Sequence, residues 1–327
     1  MMIGALEKLE PGPAPLVVDE PSGSLAAALA AAGTVPRTWL RHAHGMLSAM
    51  PWPPAGPFTS ALVRLPKSKD ALSFALSAAA STLPAGASLV LFGANDEGIR
   101  SAASRLAPFV DDVATVDTRR HCRVLAGPRS SHIDNLKASL ADWRKLTTIA
   151  VAGAERTWIT YPGLFADGGL DEGTALLLAH LPVLSERARV LDFGCGTGII
   201  GAAVLARTPR VSLDLLDADA LAIEAARENV PKARLLLGDS LTATGSARYD
   251  AILSNPPLHV GVEESHATLC SLIADAPRRL RPNGVLLIVV QRRVKAAELM
   301  QAAFGNVAVA AETPRFRVLL SRAAGPA

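Results

Sequence analysis

Short aliphatic runs alternate with helix-like stretches throughout the second half of the chain. Most of these runs are apolar without interruption, which is typical of strands that are covered on both faces. The alternation predicts an α/β fold with a doubly wound, mostly parallel sheet. The predicted strands are Arg189–Phe193, Val211–Asp217, Arg234–Leu237, Ala251–Ser254, Val285–Val290, Val307–Ala311 and Arg317–Ser321. The predicted helices are Ile199–Arg207, Ala220–Asn229, Ser265–Leu280 and Val294–Phe304.

The last two predicted strands have no helix between them, so we expect an antiparallel hairpin at one edge of the sheet. The first half carries a weaker form of the same rhythm. Residues 50–58 hold four prolines in nine positions, so we predict an extended loop there. We therefore predict two tandem α/β domains, residues 1–150 and 151–327. The elements predicted in the first are strand Ala61–Leu65, helix Lys69–Leu83, strand Ser88–Phe92 and a helix near Glu97–Ala107.

Charge and cysteine content narrow the class of protein only a little. The chain has 327 residues, is 50% apolar and carries a formal net charge of +3, which suits two domains and says little about partners. Its three cysteines are widely spaced, which fits a reducing compartment and gives no metal-ligand pattern. We find neither an apolar run of about 20 residues nor a leader-like N-terminus. We expect a soluble, cytoplasmic protein without metal.

A glycine-rich turn follows the first strand of the second domain. Gly194, Gly196 and Gly198 alternate there with other residues and lead into a helix. Glycines let the backbone approach a ligand, and the loop, which includes Cys195, offers N–H groups near the helix start. Asp192 just before the loop would repel a pyrophosphate and suits a cation, so it favours S-adenosylmethionine over a dinucleotide. A tight strand-to-helix turn without a ligand is the alternative.

Acidic residues end the next two predicted strands. Asp217 lies about 20 residues beyond the loop, where a carboxylate can accept hydrogen bonds from both ribose hydroxyls. Asp219 lies close by, and we interpret it mainly as the N-cap of the helix that begins at Ala220. Asp239, followed by Ser240, is placed to accept a hydrogen bond from an adenine amino group, with helix capping as the alternative. We assign Asp217, Asp239 and Ser240 to the cofactor site.

The fourth strand ends in Ser254-Asn-Pro-Pro257, at the edge where open α/β sheets bind ligands. The two prolines restrict the backbone, so the Asn255 side-chain oxygen and the Pro256 carbonyl form a fixed pair of acceptors. An amino group on a ring or carbonyl has two N–H donors, and this pair can aim its nitrogen at a methyl donor. We therefore expect Asn255, Pro256 and Pro257 to be catalytic, with Asn255 also beside the cofactor. An ordinary Asn-Pro turn is the alternative.

Further segments in both halves carry a family resemblance. They are Leu65–Lys69, Leu91–Gly93, Val116–Arg120, Tyr161–Thr174, Ser254–Gly261 and Glu312–Arg317. Together they resemble the bacterial small-subunit ribosomal RNA guanine-N2 methyltransferases, over about residues 60–322. The resemblance implies S-adenosylmethionine as cofactor and ribosomal RNA or the small ribosomal subunit as partner.

The resemblance also implies two methyltransferase-like, Rossmann-like domains. The first is expected to be a degenerate duplicate that binds no cofactor and helps to recognise RNA, and the loss of alternating glycines in Gly93–Gly98 agrees with this. The second is expected to be catalytic, with a seven-stranded sheet. The resemblance assigns the cofactor contacts to Asp192, Gly194, Gly196, Asp217 and Asp239, and the guanine amino group to Asn255 and Pro256.

One position departs from the family pattern. The family has an aromatic residue after the second proline, whereas this chain has Leu258, which offers apolar contact but no ring face for stacking. We predict that Phe165 or Phe316 stacks on the base instead. His259 is interpreted either as a substrate contact or as a structural hydrogen-bonding residue.

The C-terminal stretch is basic, since residues 276–327 hold nine basic and two acidic side chains. These cations could meet RNA phosphates, and Arg315 is included among the substrate-binding residues. A solvated surface explains each of them equally well. They are Arg292, Arg293, Lys295, Arg315 and Arg317.

Other functions stay open at this point. Large-subunit ribosomal RNA is an alternative substrate, and release-factor glutamine methylation uses a similar Asn-Pro-Pro segment but a helical N-terminal domain. A non-catalytic RNA-binding assembly protein is a further alternative, which the intact Asp192, glycines and Asn255 disfavour. A nicotinamide dehydrogenase is disfavoured by Asp192, and DNA adenine methylation by the lack of a recognisable DNA-binding domain.

Overall fold

The computed structural model describes residues 2–164, 166, 169–256 and 263–325, with the backbone alone at 263–265. No helix within these ranges combines the length and the apolar character needed to cross a membrane.

The chain forms two compact units. The N-terminal unit comprises Met1–His42 and Leu47–Arg144, and the C-terminal unit comprises Ala43–Met46 and Lys145–Ala327. The division therefore lies between Arg144 and Lys145, whereas the boundary predicted from the sequence lies after residue 150.

The N-terminal unit is built on a six-stranded sheet. Its strands are β1 (Pro15–Val18), β2 (Arg37–Trp39), β3 (Ser60–Arg64), β4 (Ser88–Ala94), β5 (Ala114–Arg119) and β6 (Cys122–Pro128). Its α-helices are α1 (Leu6–Leu9), α2 (Ser24–Ala31), α3 (Lys69–Ser81) and α4 (Ile99–Leu106). The order is β2-β1-β3-β4-β6-β5, with the first four strands parallel and the last two antiparallel.

The C-terminal unit holds a two-stranded hairpin and a seven-stranded sheet. The hairpin strands are β7 (Lys145–Val151) and β8 (Ala154–Thr160). The sheet strands are β9 (Arg189–Phe193), β10 (Ser212–Asp217), β11 (Arg234–Leu237), β12 (Tyr249–Ser254), β13 (Leu280–Gln291), β14 (Ala308–Glu312) and β15 (Phe316–Arg322). The helices are α5 (Glu172–Ala179), α6 (Ile199–Arg207), α7 (Ala220–Asn229), α8 (Glu263–Arg279) and α9 (Ala296–Phe304).

The large sheet has the order β11-β10-β9-β12-β13-β15-β14. The first five strands of this order, from β11 through β13, are parallel to one another. Strand β15 pairs antiparallel with both β13 and β14. The predicted doubly wound sheet and the antiparallel hairpin at its edge are therefore confirmed. In a parallel sheet of this kind the carboxyl ends of β9, β10 and β12 meet at one edge, where ligands bind.

Burial on both faces explains the uninterrupted aliphatic runs. In β13, Val285, Leu287 and Val289 belong to one core cluster, while Leu286 and Ile288 belong to another on the opposite face. Since alternate side chains of a strand point to opposite faces, every position of such a run is apolar.

The hairpin β7–β8 was not predicted, because most of β8 is exposed and carries no apolar run. It is tied to the glycine loop of the large sheet. Trp158 is buried and donates from Nε1 to Thr197 Oγ1 at 2.9 Å. Asn229 accepts from the Ile159 N–H at 2.8 Å and donates to the Thr197 carbonyl at 3.0 Å.

The two sheets share one strand order. With β1 matched to β9, the neighbours β2, β3 and β4 match β10, β12 and β13, and the antiparallel pair β6–β5 matches β15–β14. The counterpart of the glycine loop is therefore the turn after β1, Asp19–Gly23. The prediction that Gly93–Gly98 is the degenerate cofactor loop is wrong, because that turn follows the strand that corresponds to β13.

Helix starts and strand register together place residues of the two units in correspondence. Val17 of β1 takes the position of Asp192, because each lies six residues before the glycine that caps the next helix, Gly23 and Gly198. Val17 then pairs with Leu62 as Asp192 pairs with Leu253. By the same register Arg64 takes the position of Asn255, and it forms an ion pair with Glu97. The N-terminal unit thus has an apolar residue and a cation where the C-terminal unit has its buried carboxylate and its asparagine.

Candidate functional site

The glycine loop between β9 and α6 needs its glycines for geometry. Gly194, Gly196 and Gly198 all have positive φ, at 67°, 53° and 91°. A Cβ at Gly198 would lie 2.7 Å from Val230 Cγ2, so a side chain there would also clash with the residue that ends α7. A Cβ at Gly196 would meet nothing within 4 Å, so this part of the loop borders open space.

The N–H groups of the loop are partly committed to the protein itself. Those of Gly194 and Cys195 both donate to the Leu216 carbonyl, at 2.8 and 3.0 Å. The Cys195 side chain is buried, and burial raises the pKa of its thiol well above the ordinary value. Cys195 therefore lies at the predicted site but stays a protonated thiol.

Asp192 is completely buried beneath the loop. Its Oδ2 accepts from the Gly201 N–H at 3.0 Å, whereas Oδ1 has no hydrogen-bond partner in the described part of the chain. Burial, with a smaller contribution from the negative charge of Asp217, raises the pKa of Asp192 to about 7. A buried carboxylate oxygen without a partner is costly, and a cationic ligand would relieve that cost.

Asp217 lies at the end of β10, beside the same loop. Its Oδ2 accepts from the Gly196 N–H at 2.8 Å and its Oδ1 from the Asp219 N–H at 2.9 Å. Asp219 caps α7 by accepting from the Leu221 N–H at 2.9 Å, so its interpretation as an N-cap is confirmed. These contacts hold the Asp217 carboxylate at the ligand edge of the sheet.

Asp239 follows β11 at the same edge. Its Oδ2 accepts from the Gly45 N–H at 2.8 Å. Gly45 belongs to the segment Ala43–Met46 of the C-terminal unit, and the Ala43 N–H donates to the Ala218 carbonyl at 2.8 Å. Sequence reasoning missed this segment, because residues so far away along the chain carry no pattern that links them to Asp239.

Ser240 precedes a short 3₁₀-helix, Leu241–Thr244. Its hydroxyl is 2.8 Å from Thr242 Oγ1. Ser240, and not Asp239, is thus the N-cap residue of this turn, although its side chain makes no capping hydrogen bond. Asp239 is therefore not used for helix capping.

Asn255 follows β12 directly beside the end of β9. The two strand ends are joined, since Ser254 Oγ donates to the Phe193 carbonyl at 2.7 Å and Leu253 pairs with Asp192. Asn255 Nδ2 lies 3.1 Å from Asp171 Oδ2 and 2.9 Å from Thr174 Oγ1. The structure thus places the predicted catalytic amide at the strand end that adjoins the end of β9, where the glycine loop begins.

Asp171 and Thr174 were not assigned a role from the sequence, although both lie in the resembling segment Tyr161–Thr174. A signal was available, because an aspartate before an apolar run, with an acidic residue such as Glu172 in the first turn, is typical of a helix start. Asp171 is the N-cap of α5 and accepts from the Gly173 and Thr174 N–H groups, at 2.8 and 3.2 Å.

Phe316 and Arg315 also lie at the start of α5. A Cβ at Gly173 would come within 3.1 Å of the Phe316 ring, so the ring packs on the first turn of the helix. Arg315 forms an ion pair with Glu172 at 2.9 Å, and its guanidinium lies 5.4 Å from the centre of the Phe316 ring. Both predicted substrate residues are thus near Asp171, the partner of Asn255.

Four of the predicted site residues lie outside the described part of the chain. They are Phe165, Pro257, Leu258 and His259.

The predicted phosphate-binding cations largely have acidic partners. Arg292 and Arg317 both pair with Glu312, at 2.7 and 3.2 Å, and Arg317 lowers the pKa of that carboxyl group. Lys295 lies 3.9 Å from Glu298. These pairs are exposed and therefore weak, so a phosphate could still displace the acidic partner.

The described residues contain no cluster of three His, Cys, Asp or Glu side chains that could hold a metal ion. What they do contain is a set of carboxylates, backbone turns and one oriented amide along a single sheet edge. The unpartnered Asp192 oxygen fits a cationic ligand, and the open space at Gly196 fits close approach of that ligand to the backbone.

The fold and the site define an S-adenosylmethionine-dependent methyltransferase with a Rossmann-like catalytic domain. The family model described as the methyltransferase small domain matches residues 155–320, and the model of the methyltransferase small domain N-terminal matches residues 16–145. The chain belongs to the ribosomal RNA small subunit methyltransferase C family, whose members include the following relatives.

Ribosomal RNA small subunit methyltransferase C of Shewanella loihica is 33% identical over 271 residues, which cover 82% of this chain and 78% of that protein. The protein of the same name from Psychromonas ingrahamii is 32% identical over 265 residues, covering 80% and 75%. A solved structure of the T. thermophilus 16S rRNA N2 G1207 methyltransferase, in complex with AdoMet and guanosine, has the same fold. The TM-score is 0.83 at 24% sequence identity, and the superposition covers 98% of this chain and 91% of the solved chain.

Proposed function

We propose that this chain transfers a methyl group from S-adenosylmethionine to the exocyclic N2 amino group of a guanine in small-subunit ribosomal RNA. The observation that carries the proposal is the orientation of Asn255 at the end of β12, beside the loop that follows β9. The relatives are named for the small-subunit ribosomal RNA, and the T. thermophilus protein for N2 of a guanosine in 16S rRNA. We carry that substrate over to this chain.

The cofactor roles follow from where the acidic side chains lie along the sheet edge. Asp192 Oδ1, which has no partner in the described residues, would accept from the ammonium group of the methionine part. Asp217, held at the end of β10, would accept from the ribose hydroxyls, and Asp239 would accept from the adenine amino group beside its contact with Gly45. The turn at Gly194, Gly196 and Gly198, with Cys195 and Ser240 nearby, would let the backbone approach the same ligand.

Asn255 and Pro256 would act on the amino group that is methylated. S-adenosylmethionine supplies a methyl group bound to a positively charged sulfur. The Asn255 Oδ1 and the Pro256 carbonyl would accept hydrogen bonds from the two N–H groups of the guanine amine. These two hydrogen bonds would fix the direction of the nitrogen lone pair. Orientation of this kind can lower a barrier by roughly 7–11 kcal/mol in favourable cases, so neither a metal nor a strong base is required of the protein.

The RNA has to present its base to this edge of the sheet, which requires the target guanine to leave its stack. Phe316 is proposed to contact the extruded base, and Arg315 a neighbouring phosphate, because both lie at the helix start that holds Asp171. We also propose that the N-terminal unit contributes to RNA recognition, and that the protein acts in the cytoplasm, where ribosomes are assembled.

The test uses radiolabelled S-adenosylmethionine with the purified protein. Small subunits and free ribosomal RNA from cells that lack this protein serve as acceptors, with large subunits and a release factor alongside. The expected product is N2-methylguanosine in small-subunit RNA, and label should be lost in Asn255→Ala while thermal unfolding stays cooperative.

Other outcomes would redirect the assignment. Label confined to the release factor would favour glutamine methylation, and label confined to large subunits would favour the other ribosomal RNA. Cofactor binding without transfer to any acceptor would contradict the proposal.

A further inference from the structure

The side chain of Asn255 is held by two residues at the start of α5, the N-cap Asp171 and Thr174 in the first turn. Asp171 Oδ2 lies 3.1 Å from Asn255 Nδ2, and Asp171 Oδ1 lies 3.4 Å from it. Thr174 Oγ1 lies 2.9 Å from the same nitrogen. Thr174 is buried, and its hydroxyl also donates to Asp171 Oδ2.

The chemistry of these partners fixes which way the Asn255 amide faces. A carboxylate can only accept hydrogen bonds, so Asp171 must face the NH₂ end of the amide. Thr174 spends its single O–H on Asp171, so toward Asn255 it can act only as an acceptor. The amide oxygen Oδ1 therefore points away from both partners.

The same network uses the donor capacity of Asn255. Its NH₂ group has two hydrogens, and Asp171 and Thr174 offer one acceptor each within hydrogen-bond distance. Toward a substrate, Asn255 then presents an acceptor and no donor. A site of this kind binds an –NH₂ group, which donates hydrogen bonds. It disfavours a carbonyl oxygen or an unprotonated ring nitrogen, because these groups need a hydrogen-bond donor from the protein.

Asp171 is itself held in place by the backbone. It caps α5 through the Gly173 and Thr174 N–H groups, and α5 packs against β13 and β15. The Phe316 ring lies beside Gly173, where an added Cβ would come within 3.1 Å of it. The orientation of Asn255 is therefore set by the sheet through the start of one helix.

We propose that Asp171 and Thr174 are positioning residues that hold Asn255 as a pure acceptor and so determine that an amino group is the atom methylated. The inference rests on the proposed function, because it takes Asn255 as the residue that binds the amine. It assigns no contact between substrate and either residue of α5.

Three variants test the proposal without removing the helix cap. Asp171→Asn keeps a good N-cap residue but replaces an obligate acceptor with an amide that can face Asn255 with its own NH₂. Thr174→Val keeps the volume and removes the hydroxyl, whereas Thr174→Ser restores it. Asp142→Asn is the control, because Asp142 also accepts a backbone N–H, from Ser139 at 2.9 Å, but lies in the N-terminal unit.

The readouts separate positioning from folding. We expect kcat for RNA methylation to fall about 100-fold in Asp171→Asn, the scale associated with misplacing a reacting group, and less in Thr174→Val. Thr174→Ser and Asp142→Asn should keep the wild-type kcat. The Kd for S-adenosylmethionine, measured by calorimetry, should change less than threefold in all four, roughly within the error of such comparisons.

A spectroscopic readout does not depend on turnover. With ¹⁵N-asparagine labelling, the side-chain NH₂ resonances of Asn255 are identified by their loss in Asn255→Asp. They should move in Asp171→Asn and Thr174→Val and stay in place in Thr174→Ser and Asp142→Asn.

The outcomes also separate this inference from the proposed function. If Asn255→Ala abolishes methylation while Asp171→Asn and Thr174→Val keep both kcat and the Asn255 resonances, the positioning role is refuted and the proposed function survives. If Asn255→Ala itself keeps the wild-type rate, the proposed function and the inference both fail.

Discussion

Asp192→Asn is the substitution that examines the cofactor site most closely. It keeps the shape of a side chain that is 0% exposed and still allows the oxygen that accepts from the Gly201 N–H. It removes the negative charge and the unpartnered Oδ1. A hydrogen bond to a charged group contributes about 1.5–3 kcal/mol, which corresponds to a Kd for S-adenosylmethionine that is about 10- to 100-fold weaker.

The same residue makes a prediction about pH. Burial raises the pKa of Asp192 from 3.8 to about 7 in the ligand-free protein. The folded state therefore keeps the proton between pH 4 and 7, where the unfolded chain has lost it. Stability falls as pH rises through this window, and the penalty is complete above about pH 7. Its size is up to about 4 kcal/mol, since one pKa unit corresponds to about 1.4 kcal/mol.

A cationic ligand prefers the deprotonated carboxylate, so its affinity should change with pH in the opposite direction. Calorimetry between about pH 5.5 and 7.5 should show binding of S-adenosylmethionine strengthening as pH rises in the wild type and staying flat in Asp192→Asn. Hydrogen exchange of the β9 and α6 amides should report the matching loss of ligand-free stability. An Asp192→Asn protein that binds S-adenosylmethionine with the wild-type Kd at about pH 7.5 would show that the Asp192 carboxylate does not bind the cofactor.

Three further outcomes are expected. Gly198→Ala should lower the free energy of unfolding by about 1–3 kcal/mol in urea titrations, because its φ is 91° and its Cβ would lie 2.7 Å from Val230; an unchanged midpoint would contradict this. Tyr249→Phe should lower the free energy of unfolding by about 1–3 kcal/mol in the same titrations, because the lost hydroxyl donates to buried Asp214 at 2.8 Å. The Kd for the cofactor should stay unchanged. Arg315→Ala should reduce the salt dependence of RNA binding by about one phosphate contact in filter-binding titrations, and an unchanged slope would argue against a phosphate role.

The sequence predicts the C-terminal sheet closely because its signals are local. Runs such as Ala251–Ser254 are apolar since they are buried on both faces, and α6 and α7 have the predicted bounds. The glycines, Asp192 and Asn255 lie at strand ends, and parallel strands bring such ends to one edge.

What the sequence could not supply depends on contacts across the chain. Strand order decides which loop of the N-terminal unit matches the glycine loop, and Gly93–Gly98 looked suitable only because it contains glycines. The contact of Gly45 with Asp239 joins residues that lie 194 positions apart. The support of Asn255 by Asp171 likewise requires the packing of α5 on the sheet.

A nucleoside analysis of small-subunit RNA from cells that lack this protein and carry a plasmid copy tests the methylation directly. We expect that one N2-methylguanosine missing in these cells is restored by the wild-type chain and not by Asn255→Ala, although both proteins are present in equal amounts. Restoration by Asn255→Ala, or an N2-methylguanosine content that does not depend on the chain at all, would contradict this expectation.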